Sequence, residues 1–259
     1  MTSKIYYQTY GEGTPIYFLH GNHLDSTSMV NWYESYFSES NSYKRIYLDI
    51  PGMGKSPIND DIKNSDDVLT EIADFIQETS INQDFLLCGH SYGGYLALGL
   101  SQIFKNKIIA MFITCPVVKA RQKDRLLVEN KNILEQEVIP TTNQEYYEDY
   151  LGINTRINEK TWTQYQKSIL PGVIKSLPFW ENLSDRNYQF SFEKSLKPIS
   201  EGKSIVLLGK FDNVVGYKNQ ETFFEHADNF ETILLKTSGH NLPIDDKDSL
   251  KKYFLEFIQ

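Results

Sequence analysis

The sequence has little of what staples a small secreted domain: two cysteines in 259 residues. Cys88 and Cys115 each sit in or at the end of an apolar run. They read as buried strand thiols, and nothing suggests a disulfide framework or a metal cluster. The N-terminus, Met1 to Tyr10, lacks the charged-then-apolar order of a signal peptide. Long apolar runs are missing too. The longest, Ile108 to Val118, is too short to span a bilayer and contains Pro116. No Lys/Arg run interleaved with aromatics occurs, and the formal net charge is -8. An acidic balance argues against nucleic acid and anionic membranes as partners. These absences predict a cytoplasmic protein with a small-molecule partner, no nucleic acid and no membrane. A homodimer stays open.

What is present is a core. Hydrophobic residues make up 40% of the chain, enough for one large domain or one domain with an insertion. Strand signals fall at Lys4–Tyr10, Pro15–Leu19, Arg45–Leu48, Phe85 onward, Ile108–Cys115, Ser204–Gly209 and Glu231–Leu235. Helical patterns fall between them. The clearest is Ser65–Thr79, with an apolar stripe of Val68, Leu69, Ile72, Phe75 and Ile76 and a start at Ser65, Asp66 and Asp67 that suits a cap. Ser28–Phe37 and the closing Lys247–Phe257 also read as helices. Alternation of this kind predicts a mostly parallel sheet with helices on both faces.

The pattern changes between Val117 and Lys197. No strand is evident there, and helices are expected at Arg121–Glu137, Asn143–Leu151, Glu159–Ile169 and Gly172–Leu183. Aromatics crowd this stretch, among them Tyr147, Tyr150, Trp162, Tyr165, Trp180 and Tyr188. It reads as a helical insertion, residues 116–197, between two parts of one core, residues 1–115 and 198–259. Its two ends are expected at the rim that carries Ser91.

Chemistry concentrates at predicted strand ends, where sites in such sheets lie. An apolar strand runs into Gly89-His90-Ser91-Tyr92-Gly93, and a helix-favouring run follows. That order places a serine on a sharp turn, with glycines where strand and helix nearly touch. A serine hydroxyl needs a base within reach, and the base needs a carboxylate to hold its tautomer. Asp212 follows the Ile205 strand and His240 follows the Glu231 strand. The chain order is Ser91, Asp212, His240.

With those residues in view, the chain resembles the α/β-hydrolase fold superfamily, and within it the serine hydrolases with a helical cap. The motifs that carry the resemblance are His20-Gly21-Asn22, Asp49-Ile50-Pro51-Gly52-Met53-Gly54-Lys55-Ser56, Gly89-His90-Ser91-Tyr92-Gly93-Gly94, Gly209-Lys210-Phe211-Asp212 and Gly239-His240. The resemblance implies Ser91 as nucleophile, His240 as base and Asp212 as its orienting acid. It implies oxyanion donors from the backbone N–H groups of Asn22 and Tyr92, and no cofactor or metal. His20 is expected to brace the oxyanion loop, His90 to pack locally, and Asp49 with Ser56 to pin the glycine-rich loop. Helix capping accounts for Asp245. His23, Trp162 and Trp180 are candidates to contact substrate.

Departures narrow the chemistry. Haloalkane dehalogenases and epoxide hydrolases of the superfamily use aspartate where this chain has Ser91. Carbon–carbon bond hydrolases usually carry Asn and Met beside the serine, where this chain has His90 and Tyr92. The leading expectation is a carboxylesterase or related acyl hydrolase acting on small esters. An aminopeptidase or carbon–carbon hydrolase on the same three residues is an alternative, and so is a ligand-binding homologue that does not turn over.

Overall fold

The computed structural model describes residues 4–38, 42–58, 60–80, 83–175 and 185–259. In chain order the described strands are β1 Tyr7–Tyr10, β2 Thr14–Leu19, β3 Tyr43–Leu48, β4 Phe85–His90, β5 Ile108–Thr114, β6 Ile133–Leu134, β7 Arg156–Ile157, β8 Ser204–Gly209 and β9 Phe230–Leu235. Seven of them form one sheet in the order β1-β3-β2-β4-β5-β8-β9. β1 runs antiparallel to β3, and every other pairing in the sheet is parallel. β1 alternates exposed and half-buried residues, as an edge strand does. β4 and β8 are buried at every position, because helices cover both faces of a parallel sheet.

Helices α1 Ser26–Tyr33, α2 Ser65–Thr79 and α3 Tyr92–Ile103 connect the first strands. The whole apolar stripe of α2 is buried. Its cap lies one residue earlier than the sequence suggests. The Asn64 side chain accepts from the Asp67 N–H, and the Asp67 carboxylate accepts from the Asn64 N–H. This reciprocal pair satisfies two donors that the first turn leaves open. α1 ends at Tyr33 and gives way to a single 3-10 turn, Glu34–Tyr36.

The segment between β5 and β8 departs from its expected form. It holds α4 Tyr147–Ile153, α5 Glu159–Ser168, α6 Leu170–Ile174 and α7 Asp185–Tyr188. The helix expected at Arg121–Glu137 is absent. Only one 3-10 turn, Gln122–Asp124, forms there. Local side-chain bonds and contacts with the core replace helical bonds. The Arg125 guanidinium donates to the carbonyls of Lys119, Ala120 and Val214, and the Leu126 N–H donates to Asn219 Oδ1. Such tertiary partners override local propensity. Strand structure exists where none was expected: β6 and β7 form a small parallel pair. Two residues per strand are too few to leave a pattern in the sequence.

The ends of this segment also differ from expectation. β5 and β8 are parallel neighbours, so the connection leaves at one rim and must return to the other. The return strand of chain passes Phe190, whose ring packs against Gly99 of α3, and reaches Glu201 and Gly202, whose N–H groups bond Ile108 and Ile109 at the start of β5. The earlier part of the segment, joined by Tyr188, faces the rim that carries Ser91.

The core closes with α8 Lys218–Phe224, the short α9 Leu242–Asp245 and α10 Lys247–Phe257. No helix among the described residues is long and apolar enough to cross a membrane.

Candidate active site

β4 delivers Ser91 to the carboxyl rim on a backbone that few residues adopt, φ 54° and ψ −115°. Positive φ at a non-glycine residue costs on the order of 1–3 kcal/mol and persists only where surroundings enforce it. Here they do. The Ser91 N–H donates to Thr114 O, and Ser91 O accepts from the N–H groups of Tyr95 and Val117. The turn is possible because residue 93 lacks a side chain. A Cβ on Gly93 would lie 2.0 Å from Leu19 O.

Three strand ends converge on this serine. His240, past β9, places Nε2 3.0 Å from Ser91 Oγ. Its Nδ1 lies 2.9 Å from Asp212 Oδ2, past β8. The other carboxylate oxygen, Asp212 Oδ1, accepts from the N–H groups of Val214 and Val215, both at 2.9 Å. A carboxylate accepts and does not donate, so the His240 proton sits on Nδ1. Nε2 is left with a lone pair facing the Ser91 hydroxyl. All three residues are buried.

Cys115 stands behind this chain. Its sulfur, a carboxylate oxygen of Asp212 and a ring nitrogen of His240 lie within 4.8 Å of one another, a spacing that could hold a metal ion. Burial, aided by the Asp212 charge, pushes the thiol well above the ordinary cysteine range. A protonated thiol donating to Gly239 O, beside a carboxylate already bonded to its histidine, reads as a hydrogen-bonded layer and not as a ligand set.

A cavity of about 790 Å³ opens over Ser91. One wall comes from the core, with Asn22, His23, His90, Asn213 and Asn241. The other comes from the segment after β5, with Arg125, Glu148, Asp149, Tyr165, Ile169 and Tyr188. Asn22, after β2, lines the cavity with Ser91, and Tyr92, the residue after Ser91, opens α3. His23 lines the cavity at φ 58°. Trp162 does not. It is buried against Tyr147, Tyr150 and Tyr165, with ring centroids 5.1–5.8 Å away. The indole serves the insertion's own core, and Tyr165 and Tyr188 supply the aromatic wall instead. Trp180 lies outside the described residues. Arg125 and Asn213 went unread in the sequence, since neither belongs to a motif.

Two further histidines, His20 and His90, brace the site. His20 Nε2 accepts from the Ile50 N–H at 3.0 Å, which puts its proton on Nδ1, 2.8 Å from Gly21 O. His90 Nδ1 lies 2.9 Å from Thr114 Oγ1, and its ring sits edge-on to Trp32 and 5.1 Å from the His240 ring. Asp49 accepts from the Ser26 and Lys55 N–H groups, and the Ser56 hydroxyl donates to Asp49 O, which pins the glycine-rich loop as expected. Asp245 is not a cap. Asp246 caps α10 by accepting from the Ser249 N–H, while Asp245 lies buried between the insertion and the His240 loop.

Two of these groups fix a pH dependence of stability. Burial holds His20 below the usual histidine range, and holds His90 well below it. As pH falls through the ordinary histidine range the unfolded chain takes up protons at both positions more readily than the folded chain, so acidification destabilises the fold. Asp245 works the other way. Burial raises its carboxyl from 3.8 to about 6, so the stability it contributes is present below 3.8 and lost as pH rises through 6. Two buried histidines oppose this one buried carboxyl. The unfolding free energy from urea titration is expected to fall between pH 7 and pH 5, with a slope of about 1.4 kcal/mol per pH unit for each net proton taken up on unfolding, and the urea midpoint falls with it. A midpoint that rises across that interval contradicts the assignment.

Comparison with known proteins identifies the fold family. A family model described as the alpha/beta hydrolase fold matches residues 14–247. The chain belongs to that family. An alpha/beta superfamily hydrolase from Oenococcus oeni PSU-1 is 40% identical, with a TM-score of 0.94 over 99% of this chain and 96% of that one. The esterase EaEST from Exiguobacterium antarcticum shares the fold at 17% identity, with a TM-score of 0.75 over 98% of this chain and 95% of its own. Among curated proteins, the 2-hydroxy-6-oxo-6-(2'-aminophenyl)hexa-2,4-dienoic acid hydrolase of Metapseudomonas resinovorans is 21% identical over 96% of this chain and 85% of its own.

Proposed function

We propose that the protein is a serine hydrolase that cleaves small acyl esters through an acyl-enzyme intermediate. One observation carries the reading. Ser91, His240 and Asp212 form a hydrogen-bonded chain from three strand ends, and the serine end of that chain lines the cavity. A pure binding site has no need of a serine fixed at positive φ against a histidine of defined tautomer.

In the proposed scheme Ser91 Oγ attacks the acyl carbonyl carbon as its proton passes to His240 Nε2. The Asp212 carboxylate, held by two backbone N–H groups, stabilises the imidazolium that forms. The carbonyl oxygen becomes an oxyanion beside the Asn22 and Tyr92 N–H groups, where the first turn of α3 offers open donors and a favourable dipole. Collapse breaks the ester bond, and His240 Nε2 returns the proton to the departing alcohol. Water then gives a proton to His240 as it attacks the acyl carbon. The acid leaves and Ser91 recovers its proton. The scheme uses no cofactor. Residues 116–197 act as a cap on the core of residues 1–115 and 198–259, and Tyr165 and Tyr188 bound the acyl or alcohol pocket.

A second reading has one observation in its favour. The curated relative is named as a hydrolase of a dienoic acid. Carbon–carbon cleavage would use the same three residues. A series of p-nitrophenyl esters, an aminoacyl amide and a 2-hydroxy-6-oxo-dienoate separate the readings by kcat/KM. The ester reading predicts short-chain esters first by at least tenfold. Preference for the dienoate sinks it and favours the second.

A further inference from the structure

The loop that carries His240 is not anchored by the core alone. Asp245, five residues on, is 2% exposed. Its Oδ2 accepts from the Gly239 N–H at 2.8 Å, the residue before His240. Its Oδ1 accepts from the Thr155 N–H at 3.0 Å and the Arg156 N–H at 3.1 Å, both in the insertion. The Asn154 side-chain amide adds a weaker bond at 3.3 Å. A second thread runs beside the first, since Asn241 Nδ2 donates to Asn154 Oδ1 at 2.8 Å. The approach is close: a Cβ on Gly239 would lie 2.6 Å from Thr155 Oγ1.

Residues 154–156, the 154–156 turn, run from the end of α4 into β7. That helix contributes Glu148, Asp149, Gly152 and Ile153 to the cavity wall. The same helix end meets the Asp212 loop, because Asn213 Nδ2 donates to Gly152 O at 2.9 Å. One buried carboxylate therefore grips both the wall that meets substrate and the backbone that aims the imidazole. A buried charge is costly unless it is bonded on all sides, and four donors from two separate segments meet that need only when both segments are seated.

We infer that Asp245 is a positioning residue that makes the α4 wall and the His240 loop a single unit, so that His240 meets Ser91 only while the 154–156 turn is docked. The proposal rests on the hydrolase reading for its kinetic consequence. Its structural consequence is independent of that reading.

Asp245→Asn is the sharper variant. Its amide keeps one acceptor but sets a donor against N–H groups on one side. Kcat for p-nitrophenyl acetate is expected to fall about 100-fold, the scale on which a displacement of about 1 Å acts, with KM changed much less. The low-field proton resonance of His240 Nδ1 should broaden or vanish. Amide exchange at Gly239, Thr155 and Arg156 should accelerate together. Asn154→Ala cuts one donor and the second thread, and should give the same pattern at about a tenfold loss; it decides the matter should Asp245→Asn fail to fold. If a folded variant keeps its kcat and its low-field proton, or if Gly239 exchange stays slow while 155 and 156 exchange faster, the coupling does not exist. Should the wild type hydrolyse no ester, the hydrolase reading fails, and joint exchange at 155, 156 and 239 still supports the clamp.

Discussion

Ser91→Ala is expected to leave a folded protein whose ester turnover is about 10⁶-fold lower. Among the described residues the Ser91 hydroxyl bonds His240 Nε2, so deleting Oγ removes one hydrogen bond and little packing. The strained backbone of the turn is held by main-chain bonds to Thr114, Tyr95 and Val117, and alanine keeps them. The thermal midpoint should therefore move by no more than a few degrees. His240→Ala should cost nearly as much turnover, and the double variant little more, because the groups act as a unit. Initial rates on p-nitrophenyl acetate, with circular dichroism of each variant, check the set. Additive losses, or turnover in Ser91→Ala within tenfold of the wild type, would show that another nucleophile does the work.

Asp212→Asn is expected to lower kcat about 10⁴-fold with the fold intact. The reason lies in the two N–H donors at Oδ1. Val214 and Val215 both donate there, so an asparagine must keep its oxygen on that side. Its NH2 then takes the place of Oδ2 and donates toward His240 Nδ1. The ring must answer by carrying its proton on Nε2. In that tautomer Nε2 faces Ser91 with a proton and cannot accept another. The check is kcat for Asp212→Asn beside a 15N-edited spectrum of the His240 ring. A threefold loss with the proton still on Nδ1 would show that Asp212 does not set the tautomer.

The fold was legible where the sequence carried a period or a motif. The stripe of α2 at Val68, Leu69, Ile72, Phe75 and Ile76 marks that helix, and short apolar runs bounded by turn residues, such as Phe85–His90, suit buried parallel strands. The residues of the site were legible because the turn at Ser91, the end of β8 and the end of β9 each carry chemistry at a fixed place. The insertion was not, because its backbone is held by side chains distant in sequence. Arg125 reaches Val214 O, and the Leu126 N–H bonds Asn219 Oδ1, in place of a helix. Tyr165 and Trp162 lie on one face of α5, yet only the tyrosine reaches the cavity. Their side chains stack 5.8 Å apart, and no pattern in the chain says which ring is outermost. Asp245 was read as a cap for the same reason: its partners at 154–156 are about 90 residues away.

The central claim is that Ser91 is the activated nucleophile. A fluorophosphonate probe tests it most directly, since the probe needs a serine whose proton a neighbouring base removes. Peptide mass mapping after labelling should place a single adduct on the peptide that contains Ser91. Labelling should be absent in Ser91→Ala and at least 100-fold slower in His240→Ala. An adduct on any other serine, or none on the folded wild type, contradicts the account.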